Sequence, residues 1–346
     1  VLGEVGKGHH IAFNILNIGR FKLGAGCVGG ARNSLQLAIQ YAKQRKAFGK
    51  TIADFGMIKE KIAEIAVNVY TGESMVIRTV GMMDAALAEI DKTAADATQQ
   101  TRKAIEEYAV ECSIAKVWCS EMLDSTVDHV VQIYGGYGFV EEYPAERAYR
   151  DSRVNRIFEG TNEINRMIIT GWLLKQAMSG KLPLLPAIKK VMDEVLAGPT
   201  FGDGLEGALA AERTMVANAK KIALFTAGAA SQKYMTNLGD QQEVMGAIAD
   251  IVSQAFAMES ALLRTQKMVN NQGESAAALP IAMTQVYLQG GMEKIESAAK
   301  KVIADVAEGD MLRTQLAILK RLSKYEPVNS IALRRKIADR ALEAGK

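Results

Sequence analysis

One short segment of this 346-residue chain concentrates the residue types best suited to chemistry: Arg153-Val154-Asn155-Arg156-Ile157-Phe158-Glu159-Gly160-Thr161-Asn162-Glu163-Ile164. A single carboxylate, Glu159, follows an Ile-Phe pair and precedes a glycine that lets the backbone turn sharply. Desolvation by apolar neighbours raises the proton affinity of a carboxylate and suits it to general-base work. Thr161 and Asn162 are good N-cap residues, and the helix start they signal acts the other way, favouring the ionised form. In isolation the plainer reading of Glu159 is a solvated turn residue or a partner for Arg156, since structural ion pairs perturb carboxylates too.

Three further segments admit both a functional and an ordinary reading. Gln132-Ile133-Tyr134-Gly135-Gly136-Tyr137-Gly138-Phe139 could bring bare backbone close to a phosphate or a sugar. It lacks the GxGxxG spacing and the preceding strand of a dinucleotide fingerprint, and a glycine-rich turn explains it as well. Gln44-Arg45-Lys46-Ala47-Phe48-Gly49-Lys50 reads as the capped C-terminus of a helix, with phosphate binding as the sharper alternative. In Leu16-Asn17-Ile18-Gly19-Arg20-Phe21, Arg20 reads as a snorkelling surface residue in mid-helix.

The elements that must position these residues are helices. All six prolines lie at Pro144 or later, and the first 143 residues are rich in helix formers. A helix is expected from His9 to about Tyr41, with glycines at 24, 26, 29 and 30 whose cost is repaid by close backbone approach. A second follows the stripe Ile58, Ile62, Ile65 and Val69 to about Ala88. Asp91 to Arg102 is either a turn or an exposed helical extension. A third helix carries Ile114, Val117 and Trp118 and ends near Gln132, residues 133–161 form a loop system, and helix resumes after Asn162 as far as Met178. Ser179 to Pro186 reads as a linker. A second helical region follows, with Leu312, Leu316 and Leu319 at helical spacing and turns at Pro199–Gly204 and Glu308–Asp310. The fold class is therefore all-α: a helical bundle over 9–180, an additional helical domain over 187–346, and residues 1–8 as the junction from a further domain.

Composition bounds the function. The chain is 49% hydrophobic and 23% charged, which excludes disorder, and no stretch of uncharged apolar residues is long enough to span a bilayer. A net charge of +3, all of it beyond residue 180, leaves no footprint for nucleic acid. Cys27, Cys112 and Cys119 show no CxxC spacing and no histidine cluster, so neither a disulfide framework nor a metal site is expected. Reduced compartments fit free thiols: a cytoplasm if the source is bacterial, a mitochondrial matrix if it is eukaryotic.

Taken together and in order, the segments VLGEVGKG (1–8), LNIGRF (16–21), QRKAFGK (44–50), QIYGGYGF (132–139) and RIFEGTNEINR (156–166) resemble the C-terminal half of acyl-CoA dehydrogenases. The last is the most specific. Residues 181–346 resemble, more weakly, the extra helical domain of the very-long-chain branch. The resemblance implies an FAD enzyme of fatty acid β-oxidation that converts acyl-CoA thioesters to trans-2-enoyl-CoA, with Glu159 removing the α-proton and its backbone N–H helping to hold the developing enolate oxygen. Relatives that carry the base on the first helix place it where this chain has Gly19. Asn17, Arg20 and Gly160 match substrate contacts, although many relatives have Asp in place of Asn17. Arg45, Phe48, Gln132 and Gly136 match contacts to the FAD of a neighbouring subunit, and Thr161 and Glu163 match positions that line the cofactor. A homodimer, and electron-transferring flavoprotein as electron acceptor, are implied partners. The resemblance also implies that a helical and a β-domain precede this segment in family members, so that an isolated fragment would have little activity.

Two other readings stand beside this one. An acyl-CoA oxidase shares the fold and the base. Alternatively the helical tail is an interaction or membrane-surface module, since Arg334, Arg335, Lys336 and Arg340 lie beside Ile331, Leu333, Ile337 and Leu342. A solvated amphipathic helix packed on a core has the same pattern.

Overall fold

The computed structural model describes residues 4–197 and 207–345, and the expected turn at Pro199–Gly204 lies outside them. Helices make up nearly all of it: α1 (Gly8–Gln44), α2 (Gly56–Ala88), α3 (Ala97–Glu107), α4 (Ala109–Tyr134), α5 (Pro144–Arg153), α6 (Asn162–Met178), α7 (Leu184–Ala197), α8 (Ala210–Tyr234), α9 (Gln242–Gln272), α10 (Ala278–Val306), α11 (Gly309–Leu322) and α12 (Ser330–Ala344). The strands among the described residues are β1 (Lys46–Ala47) and β2 (Lys50–Thr51), a small antiparallel hairpin after α1. The chain divides into two compact units. Unit 1 comprises residues 1–169 and 338–346, and unit 2 comprises 170–337. The sequence boundary thus falls inside α6, ahead of the Ser179–Pro186 stretch, and the last residues return to unit 1.

In unit 1, α4 is the central helix and packs along α1, with α2 against both. Its buried residues include Ile114, Val117 and Trp118 on more than one face, as a core helix requires. On α2 the stripe Ile62, Ile65 and Val69 is buried, each side chain contributing about 1.5–3 kcal/mol by leaving water. The glycines of α1 divide by role. A Cβ on Gly24 would stand 2.9 Å from the Ala115 carbonyl oxygen, so this glycine allows α1 and α4 to approach. Gly26 and Gly29 face open space, and the close approach expected of them is absent.

Residues 133–161 differ from a plain loop. They hold a 3-10 turn at Gly135–Gly138, the ten-residue helix α5, and a second 3-10 turn at Val154–Arg156. Pro144 stands in the first turn of α5, where its missing N–H costs nothing, so it starts a helix here and breaks none. The segment from Asp91 resolves into a turn followed by α3.

In unit 2, α8, α9 and α10 pack on one another, with α7 and α11 against α8 and α10. By length and composition α9 is apolar enough to cross a membrane, although Asp250 and Glu259 interrupt it, so no uncharged apolar stretch of that length is present. More than half of its most apolar window is buried among its neighbours, which is how a core helix passes the same test. On α12, Ile337, Ala338 and Ala341 are buried, and within unit 1 Lys43 donates to the Leu342 carbonyl while Lys59 pairs with Asp339. Of the apolar residues that a membrane contact would use, Ile337 is buried, Leu333 and Leu342 are half-buried and Ile331 is exposed.

Candidate active site

Glu159 sits where α1 passes beneath the turn that leads into α6. Its φ is +59° and that of Gly160 is +80°, two left-handed residues in succession. For a residue with a Cβ this conformation costs about 1–2 kcal/mol and persists only where neighbours impose it. Two buried side chains do so. Arg20 donates from Nε to the Glu159 carbonyl at 3.2 Å, and its Nη1 donates to Asn17 Oδ1 at 3.1 Å. Asn165 donates from Nδ2 to the carbonyls of Glu159, Gly160 and Thr161 at 3.4, 2.8 and 3.0 Å. The Glu159 N–H donates to no acceptor among the described residues.

Gly19 decides where the carboxylate goes. A Cβ at this position would stand 2.5 Å from Glu159 Oε2 and 2.8 Å from its Cδ. The carboxylate rests directly on bare helix backbone, in the space that any other residue would fill. Arg20 is buried, contrary to the surface role expected of it; desolvation lowers the pKa of its guanidinium, with the Glu159 carboxylate opposing. Ile157 and Phe158, expected to strip water from the carboxylate, are themselves exposed in this chain.

Beneath the turn lies a buried polar network that sequence reading missed. Lys116, wholly enclosed on α4, donates from Nζ to Asn162 Oδ1 at 2.6 Å. Asn162 Nδ2 in turn donates to Ser120 Oγ at 3.1 Å and to Glu121 Oε1 at 3.0 Å, and Arg166 holds Glu121 in a bidentate pair at 2.8 and 3.0 Å. Of the two expected N-cap residues, Thr161 caps α6 by accepting from the Ile164 N–H at 3.3 Å, while Asn162 faces inward. Glu163 is held below the usual carboxylate range by its own backbone N–H and the Thr161 hydroxyl. Arg156 pairs with Asp124 at 2.9 Å, which leaves Glu159 free of the ion pair considered for it.

The remaining candidates gather elsewhere in unit 1. A cleft of about 800 Å³ is lined by Tyr41, Arg45, Tyr137 and Tyr143 and by the backbone of Gly135 and Gly136. The Tyr41 and Tyr134 rings stack at 4.0 Å, and the Arg45 guanidinium lies 5.4 Å over the Tyr137 ring. Burial pushes the phenols of Tyr41 and Tyr134 up, so both rings are neutral near neutral pH. The glycines here also differ in role. A Cβ on Gly138 would meet the Val131 carbonyl oxygen at 2.5 Å, whereas Gly136 opens onto free space. Gln132 is exposed at the end of α4, outside the lining of the cleft. Gly49 does not cap α1: with Phe48 it forms the tip of the hairpin, both at positive φ, and the Phe48 ring is almost fully exposed. The structure therefore joins Asn17, Arg20, Glu159, Gly160 and Thr161 in one site and Arg45 and Gly136 in another.

Comparison with known proteins places this geometry in a family. Two models described as the acyl-CoA dehydrogenase C-terminal domain match residues 6–174 and 218–321. A "Probable acyl-CoA dehydrogenase" of Bacillus subtilis is 46% identical over 346 residues, all of this chain and 58% of that protein. The mouse mitochondrial very long-chain specific acyl-CoA dehydrogenase is 37% identical over 169 residues, 49% of this chain and 23% of the relative. The crystal structure of an acyl-CoA dehydrogenase from Bacillus anthracis complexed with FAD superposes with a TM-score of 0.96 at 47% identity, over 99% of this chain and 58% of that one. The chain thus spans 58% of the length of the relatives it matches end to end. With two successive segments of that family's C-terminal region, the chain belongs to the acyl-CoA dehydrogenase family.

Proposed function

We propose that this chain is the C-terminal part of an FAD-dependent acyl-CoA dehydrogenase that converts long or very long acyl-CoA to trans-2-enoyl-CoA, with Glu159 as the base. The observation that carries this reading is the Glu159 carboxylate seated on the bare backbone of Gly19, on a turn clamped by Arg20. An α-C–H beside a thioester is only weakly acidic, so removing its proton requires a carboxylate fixed in place and donors aimed at the enolate oxygen. Glu159 offers both, its carboxylate and its unengaged N–H. Asn17 and Arg20, already coupled to each other, are the residues assigned to the CoA part of the substrate.

The residues present fit FAD. Arg45 supplies a cation for the pyrophosphate, the neutral tyrosine rings supply stacking surface, and Gly136 leaves open the space a Cβ would fill. When bound, the flavin accepts the β-hydride of the substrate. Thr161 and Glu163 line the cofactor at the start of α6, and Arg45, Phe48, Gln132 and Gly136 serve the FAD of a second subunit. The exposed ring of Phe48 suits a contact made across such a homodimer. Electron-transferring flavoprotein receives the electrons. The compartment in this reading is the cytoplasm of a bacterium or the mitochondrion of a eukaryote.

The test uses the full-length flavoprotein. Wild-type protein should lose its flavin absorption band on anaerobic addition of palmitoyl-CoA, and Glu159→Gln should keep FAD and keep its colour. Bleaching retained in Glu159→Gln would move the base elsewhere.

A further inference from the structure

The turn that carries Glu159 is held by two side chains, and only Arg20 has a role in the reading above. Asn165 is wholly buried on the first turn of α6. Three carbonyl oxygens in succession, those of Glu159, Gly160 and Thr161, surround one end of its carboxamide, which fixes that end as the amide nitrogen. The other end, Oδ1, is buried with no donor among the described residues. A buried acceptor left unpaired is unfavourable, so the side chain is oriented by what its nitrogen donates to. The contact reaches further than an ordinary helix cap, because it spans both left-handed residues. By holding three successive carbonyls it fixes ψ of Glu159 and the whole of Gly160, and with them the direction of the Cα–Cβ bond that sends the carboxylate over Gly19. Space at Gly160 is tight on the same side: a Cβ there would stand 3.2 Å from Asn165 Nδ2.

We propose that Asn165 is a positioning residue for proton abstraction, its amide nitrogen locking the Glu159–Gly160–Thr161 turn so that the Glu159 carboxylate and N–H both face the α-carbon and thioester of the substrate. This rests on the assignment of Glu159 as the base. Asn165 touches neither substrate nor cofactor in this role. Its removal should slow the chemical step and leave binding of both unchanged.

The experiment is stopped-flow anaerobic reduction of the full-length flavoprotein by palmitoyl-CoA, for wild type, Asn165→Ala and Asn165→Asp. The limiting rate of Asn165→Ala should fall about tenfold to a hundredfold, the range expected when a reacting group is misplaced by about an ångström or less. Its FAD content and half-saturating substrate concentration should stay within about twofold of wild type. Asn165→Asp adds a readout that a purely structural role would not move. Ionised, it sets a carboxylate against three carbonyl oxygens; protonated, it regains one donor, so its rate should recover towards that of wild type as pH falls. A limiting rate for Asn165→Ala within about twofold of wild type would overturn the proposal. So would a half-saturating concentration that moves as much as the rate in an Asn165→Ala protein that retains its FAD. If Asn165→Ala does not retain FAD, Asn165→Asp decides: recovery at low pH supports the role and a pH-independent deficit overturns it. Wild-type protein that palmitoyl-CoA does not reduce would instead overturn the functional reading itself.

Discussion

The absence of a side chain at Gly19 and the presence of one at Lys116 shape the site from opposite sides. Gly19→Ala should separate stability from activity. The new methyl group first meets the far end of a flexible glutamate, and alanine is about 1 kcal/mol better than glycine within a helix. Thermal stability should therefore hold or rise, while flavin reduction slows about tenfold or more because the carboxylate has lost its seat. A fall in melting temperature with an unchanged rate would contradict this account. Lys116 gives a pH test. Burial pushes its ammonium down from 10.5 to about 8, with the Glu163 and Glu121 carboxylates pulling it back. Between these values the unfolded chain binds more protons than the folded one, so this lysine adds stability as pH rises through the window and gives no slope below about 8. Urea unfolding at about pH 7.5 and about pH 10 should show wild type gaining on Lys116→Met at the higher pH. Parallel behaviour of the two proteins would refute the shift.

Helices were legible wherever packing wrote a period into the sequence. The Ile62, Ile65 and Val69 stripe marks α2, and Thr161 marks the start of α6. What stayed hidden depended on contacts between residues far apart in the chain. Nothing local to Arg20 says that it turns inward to a carbonyl 139 residues away, and nothing local to Lys116 says that Asn162 will receive it. Asn165 was legible only as one more polar residue on a first helical turn. The helix α5 stayed hidden in the expected loop 133–161 because a proline such as Pro144 reads the same whether it stops a helix or occupies the first turn of one. The glycines of α1 offer the corresponding experiment. Gly24→Ala drives a methyl group to within 2.9 Å of backbone on α4, which has no rotamer to move aside, and should destabilise by about 1–3 kcal/mol. Gly26→Ala meets nothing and should stabilise by about 0.5–1 kcal/mol. Chemical denaturation of the two variants checks both signs.

Over the whole chain, the two units offer separate handles. Cys27, Cys112 and Cys119 all belong to unit 1 and all are buried. Burial pushes the first two thiols up to about 12 and the third well above its ordinary value, so almost no thiolate is present near neutral pH. Labelling by a thiol reagent should therefore be negligible in the folded protein and follow the opening of unit 1 alone. Circular dichroism reads the helices of both units, so its denaturant midpoint should differ from that of thiol exposure. Coincident midpoints would mean one cooperative transition across the two.

Unit 2 lies in the sequence between the two parts of unit 1, and Lys59 finds Asp339 only after that long detour. On the ribosome this imposes an order. The helices around Glu159 emerge before those of unit 2, yet their unit stays unfinished until every residue of unit 2 has been made. A nascent chain therefore carries the bundle around Glu159 without its last residues while unit 2 is being made, and chaperone demand should concentrate in that interval.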